Sequence, residues 1–150
     1  MLYLFVINLG TAFGAGIYEM RIVLPMWFRK TVNGYTVNTQ TMEEMNVGRN
    51  FWVMVTTVPL TLLTIANLFF ACKATGALQT WWLAATITAL TERVMTFTFF
   101  IPTAIKFTKP GAIPDNKLST TVSNWRNMNY VRVLLSFSTF IIAFRTLLLL

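Results

Sequence analysis

The chain has no histidine, a single cysteine (Cys72), and only 11% charged residues over a length of 150. Without imidazole there is no His-based nucleophile triad, no His-ligated catalytic zinc and no histidine-held haem or iron. One cysteine makes neither an intrachain disulfide nor a CxxC redox pair. No phosphate loop, dinucleotide fingerprint or metal-ligand set is present, so neither a cofactor nor a bound metal is expected. Soluble domains carry about a quarter charged residues. Here the charge is less than half of that, against 55% hydrophobic and 15% aromatic residues and a mean hydropathy of +0.60. The balance is that of a membrane protein, and the length allows one domain, residues 1–150.

A helix needs about 20 apolar residues to cross a bilayer core. Four segments qualify, at about 3–28, 51–72, 79–107 and 130–150. The first lacks the basic flank of a signal peptide and holds Glu19 and Arg21, so it reads as a retained helix. The expected fold is all-α: an integral membrane antiparallel four-helix bundle. In the first connection Asn33-Gly34 is a turn signal, and Thr41-Met-Glu-Glu44 has capping-box spacing that places a helix start near Met42. Pro110-Gly111 and Pro114-Asp115 mark the third connection, with Ser119 or Thr120 as the expected cap of the last helix.

The charges are lopsided, 12 Lys+Arg against 5 Asp+Glu, for a net +7. Arg29, Lys30, Arg49, Lys106, Lys109, Lys117 and Arg126 fall in the first and third connections, and only Lys73 and Arg145 on the other side. The positive-inside rule then puts the long loops in the cytoplasm and both termini outside a multi-pass protein of the cell membrane. Basic loops of this kind report topology, and no nucleic-acid motif accompanies them.

Small and polar residues at steps of three and four mark the interior face of each span. They are Asn8, Thr11, Ala15 and Glu19 in the first, beside Gly10-x-x-x-Gly14, and Met54, Thr57, Thr61, Thr64, Asn67 and Ala71 in the second. The third carries Ala85, Thr88, Ala89, Glu92, Thr96, Phe99 and Thr103; the fourth carries Trp125, Asn129, Arg132, Ser136, Thr139, Ala143 and Thr146. Most of this is packing, with threonine hydroxyls bonding back to their own helices. Pro59 and Pro102 are expected kinks whose freed carbonyls are satisfied by neighbours.

Ionisable groups inside a span cost about 2.5–3.5 kcal/mol each even on the lenient insertion scale. Glu19, Arg21, Glu92, Arg93 and Arg132 all lie within the spans. At 1.5 Å per residue Glu19 lies about 12 Å, and Arg132 about 9 Å, below the same membrane face. Matching depths pair Glu19 with Arg132, while Glu92, nearer the midplane, reaches Arg21 or Arg132. One account is a register-locking network; the other is a polar pocket opening to the cytoplasmic half, rimmed by Tyr18, Arg93, Trp125, Asn129 and Tyr130. In the second account Glu19 or Glu92 is a proton acceptor.

Trp125-Arg-Asn-Met-Asn129-Tyr-Val-Arg132 resembles the W-x-x-x-N-x-x-R signature of the anthrone-oxygenase-like family of small four-helix membrane proteins. Gly16-Ile-Tyr18 with Pro25, and Thr98-Phe-Phe-Ile-Pro102, are similar to two further segments of that family, whereas Ile101-Pro-Thr-Ala-Ile-Lys106 stands where its members carry an Asn-rich stretch. The resemblance implies cofactor-free oxygenation of a lipophilic carbon acid, with Glu19 or Glu92 as base and Arg132 and Asn129 stabilising the enolate. The expected partners are membrane lipid and a hydrophobic small molecule. The alternative is a non-enzymatic transporter or accessory subunit acting as a homo-oligomer through Gly10 and Gly14.

Overall fold

The computed structural model describes residues 1–32 and 34–150. Asn33, half of the expected turn, lies outside the described residues. The described residues form five helices, α1 (Leu2–Trp27), α2 (Thr39–Met45), α3 (Gly48–Lys73), α4 (residues 76–108) and α5 (Asp115–Leu147). A two-stranded antiparallel hairpin, β1 (Phe28–Thr31) and β2 (Gly34–Val37), follows α1 in register Phe28↔Val37 to Thr31↔Gly34. The fold is therefore all-α with one small hairpin that the sequence did not announce. Helices α1, α3 and α5 are long and apolar enough to cross a membrane. α4 matches them in length, and Gln79, Glu92, Arg93 and its threonines dilute its apolar content.

The four long helices pack in a ring, α1 against α3 and α5, and α4 against α3 and α5. Two helices run antiparallel where early residues of one meet late residues of the other. Gly10 faces Phe140 and Gly16 faces Val133 across the α1–α5 seam. At the termini end of the bundle a dry core forms from Phe5, Leu9, Leu60, Ala85, Ala89 and Ala143. Its polar groups are satisfied within it: Trp82 Nε1 donates to Asn67 Oδ1 at 3.1 Å, and the buried Thr64, Thr86, Thr139 and Thr146 donate to carbonyls of their own helices. The outer surface carries Leu4, Ile7, Leu62, Ile65, Ile87 and Leu134, each more than half exposed. A contiguous apolar exterior of this kind is what a lipid environment covers.

Three prolines shape the other half. Pro25, Pro59 and Pro102 each stand near the start of an α-helical stretch that follows a π-helical one, Glu19–Val23, Gly48–Thr57 and Thr96–Phe100. Proline offers no N–H and its ring crowds the carbonyl four residues back. Widening the preceding turn to i→i+5 bonds relieves both, as in Leu24 N to Glu19 O and Ile101 N to Thr96 O. The carbonyl of Val55, which Pro59 cannot serve, instead accepts from Asn8 Nδ2 at 2.9 Å. The expected kinks are thus π-turns, with a neighbouring helix satisfying the freed carbonyl at Pro59.

Element boundaries differ from expectation in two connections. α2 is capped by Asn38, whose side chain accepts from Thr41 N, so the capping box at Thr41 lies inside a helix already begun. It ends at Asn46, in the left-handed region at φ 40°, and α3 starts afresh at Gly48. α5 begins at Asp115 directly after Pro114, a full turn before Ser119 and Thr120. Ser119 is engaged elsewhere: a Cβ on Gly34, at φ +130°, would collide with its side chain, so only glycine lets the hairpin seat against α5.

Candidate functional site

The hairpin end of the bundle holds a half-open cavity of about 400 Å³. Its walls come from all four long helices and α2, with Glu19, Trp52, Glu92, Arg93, Trp125 and Arg132 among the lining residues. The three π-helical stretches all border it, through Glu19, through residues 48–57 and through Thr96 and Phe100. Each wide turn adds a residue before the helix resumes, which rotates the following side chains by one position. Phe99 and Thr103, expected on the interior face, are therefore half-buried, while Phe100 and Ala104 line the cavity. In α3 the same effect turns Met54 outward, 71% exposed, and brings Val53 and Thr56 to the cavity beside Thr57, which lies inside as its spacing predicts. The long α5 has no such turn, and its stripe Trp125, Asn129, Ser136, Thr139, Ala143 and Thr146 is buried as the spacing predicts.

Two ion pairs lie in the lining. Glu19 of α1 accepts from Arg132 of α5, the pairing expected from depth. The Arg132 guanidinium is also sandwiched, its Cζ 5.0 Å from the Trp52 ring centre and 4.6 Å from that of Phe100. Glu92 does not reach Arg21 or Arg132. It pairs with its own neighbour Arg93, Oε1 to Nη2 at 2.7 Å, both side chains buried. Arg21 is exposed on the outer face of α1. Adjacent helical residues diverge by about 100°, and the arginine stem is long enough to fold back across that angle.

The two pairs differ in what they leave over. Glu92 keeps Oε2 and Arg93 keeps Nε–H without a protein partner, both inside the cavity lining. The indole N–H groups of Trp27, Trp52 and Trp125 are likewise unpartnered. A buried polar group without a partner costs about 1–3 kcal/mol, and five such groups belong to residues of this one cavity lining. Trp27 and Trp125 stand 6.3 Å apart, and Phe28, Phe100 and Phe107 meet Trp125 edge-on at 5.6–5.9 Å. Those contacts fix the indole planes and hence the direction of their N–H bonds.

Not every expected site residue joins this group. Tyr18 and Tyr130 are 60% and 59% exposed on the exterior. Tyr18 instead borders a second pocket of about 520 Å³ between α1 and α3, together with Thr11, Gly14, Ala15 and also Glu19. Asn129 is fully buried behind the cavity wall, with Nδ2 donating to the Trp125 carbonyl at 2.8 Å and Oδ1 unpartnered. Gly10 is covered by the Phe140 ring, whereas Gly14 faces open space, so the two glycines do not share a contact. The threonines behave as packing residues: Thr56, Thr61, Thr64, Thr96, Thr139 and Thr146 each donate to the carbonyl four residues back.

Trp27, Arg49, Trp52 and Phe100 line the cavity and were not singled out from sequence. Following small and polar residues passes over aromatic donors, although a tryptophan at the head of a span is itself a signal of an amphipathic position. Among the described residues no three of His, Cys, Asp or Glu come together as metal ligands. No family model, curated protein or solved structure matches the chain.

Proposed function

We propose that the protein is a four-span membrane enzyme that binds a lipophilic carbon acid in this cavity and removes a proton from it without a cofactor. All four long helices cross the bilayer in this reading, with the basic hairpin end in the cytoplasm and both termini outside. A volume of about 400 Å³ lies within the range of small-molecule sites. The observation that carries the reading is the convergence of two buried ion pairs and three unpartnered indoles on that one volume.

Glu92 is the favoured base. Each carboxylate gives one oxygen to an arginine, but the Arg132 partner of Glu19 is held in addition between two aromatic rings, which leaves Glu92 the easier of the two to rearrange toward a substrate. When a C–H proton passes to Glu92, the electron pair delocalises into the substrate as an enolate. In this reading Arg93 and the indole N–H groups turn toward the substrate and stabilise its oxygen. With dioxygen as co-reactant, as the resemblance to anthrone oxygenases implies, the carbanion bonds to oxygen. The resulting hydroperoxide breaks its O–O bond and loses water, taking a ring CH₂ to C=O.

The test is anthrone oxidation by the detergent-purified protein in air, followed by anthraquinone absorbance. The expected result is a rate well above buffer that falls by about 100-fold in Glu92→Gln. A rate equal to buffer, or one indifferent to Glu92, overturns the enzymatic reading and favours a carrier or accessory role.

A further inference from the structure

We infer that the cavity receives its ligand sideways, between α3 and α4, and that the ligand is a lipophilic acid whose anionic head is met by Arg49. The inference rests on reading the cavity as a ligand site and adds the chemical class that fits it.

The position of the mouth follows from which lining residues reach the outside. Glu92, Arg93, Trp27 and Trp125 are buried, whereas Gly48, Arg49, Val53 and Ile105 line the same cavity and are exposed. The first three of these belong to the π-helical head of α3 and the last to the end of α4. The mouth is thus a slot between two helices, polar where α3 begins at Arg49 and apolar along Val53 and Ile105, which are 38% and 48% exposed. A slot graded in this way suits a molecule with a charged head at the membrane surface and an apolar body in the hydrocarbon.

Charge and hydrogen-bonding capacity point the same way. Among the described residues the charge of each cavity carboxylate is balanced by a paired arginine, Glu19 by Arg132 and Glu92 by Arg93. Arg49 is left with no carboxylate within 4.0 Å, so the lining carries one uncompensated positive charge at its mouth. The lining residues carry four donors without a partner, the three indole N–H groups and Arg93 Nε–H, against one such acceptor, Glu92 Oε2, all just beneath the cavity surface. A surplus of donors calls for a ligand rich in acceptor oxygens, and an ionised carboxylate is acceptor-only.

The experiment uses the full chain in phosphatidylcholine nanodiscs, reading energy transfer from tryptophan to pyrenebutyrate and to its neutral counterpart pyrenebutanol. A variant with a filled cavity, Ala104→Trp, separates site binding from partition into the bilayer. Wild-type protein binds pyrenebutyrate above that background and about tenfold more tightly than pyrenebutanol, and Arg49→Gln abolishes the preference. Displacement by oleate assigns the site to free acids, and displacement by phosphatidic acid assigns it to an acidic lipid headgroup; either upholds recognition of the anion. Equal binding of both probes, unchanged in Arg49→Gln, overturns the acid inference while leaving the cavity as a ligand site. No binding of either probe above Ala104→Trp overturns the cavity reading itself.

Discussion

Asn8 donates from Nδ2 to the carbonyl of Val55 at 2.9 Å, joining α1 to the one place in α3 where proline leaves the backbone without a donor. The contact spans 47 residues and makes a side chain of one helix complete the hydrogen bonding of another. It also holds α1 beside the π-helical head of α3, which forms one wall of the cavity.

The first prediction concerns that bond. Asn8→Leu leaves Val55 O without its partner and costs about 1 kcal/mol. In a Pro59→Ala background the residue at 59 regains an N–H that can serve Val55, so the same Asn8→Leu change costs close to nothing. Thermal unfolding of the four proteins in detergent, read as a double-mutant cycle, checks this. Equal costs in both backgrounds would show that the proline is not the reason for the asparagine.

The Glu19–Arg132 pair yields a second prediction. Both side chains are almost wholly out of solvent, at 5% and 11% exposure. Arg132→Met leaves a buried carboxylate alone and costs about 3–5 kcal/mol, whereas Glu19→Gln combined with Arg132→Met recovers most of it. Unfolding in mixed micelles measures the difference. A cost below about 1 kcal/mol for the single variant, the value of a solvated pair, would place this pair in contact with water.

Two glycines on opposite faces of α1, Gly14 and Gly16, are expected to respond in opposite directions. A Cβ at Gly16 would sit 2.8 Å from Val133 Cγ2, on a stiff β-branched side chain, and nothing lies within 4 Å of one at Gly14. Gly16→Ala therefore forces α1 away from α5 and costs about 1–3 kcal/mol. Gly14→Ala meets no obstacle and gains up to about 1 kcal/mol from helix propensity. Comparing melting temperatures of the two variants decides it, and a gain in both would mean the α1–α5 seam is looser than the contact implies.

Much of the architecture was readable before any coordinates. Four apolar runs mark the four long helices, and the unbroken 3.6-residue period of α5 placed Trp125, Ser136, Thr139, Ala143 and Thr146 on its buried face. Depth along the helix sufficed to pair Glu19 with Arg132, because rise per residue is nearly constant. Periodicity failed at Met54, Phe99 and Thr103, and for one reason: Pro59 and Pro102 each sit beside a π-turn, which inserts a residue and moves the interior face by one position.

Residue type and spacing therefore determined the class of protein, the number of long helices and which charges would be costly to bury. Tertiary structure decided the rest. It directed Glu92 to Arg93, turned Tyr18 and Tyr130 outward, folded the first connection into a hairpin against α5, and gathered Trp27, Trp52 and Trp125 around one space. These outcomes depend on how far each helix rotates and on which partner lies within a side chain's reach. Rotation is set where proline widens a turn and packing against other helices selects the response, and neither is a property of the local sequence alone.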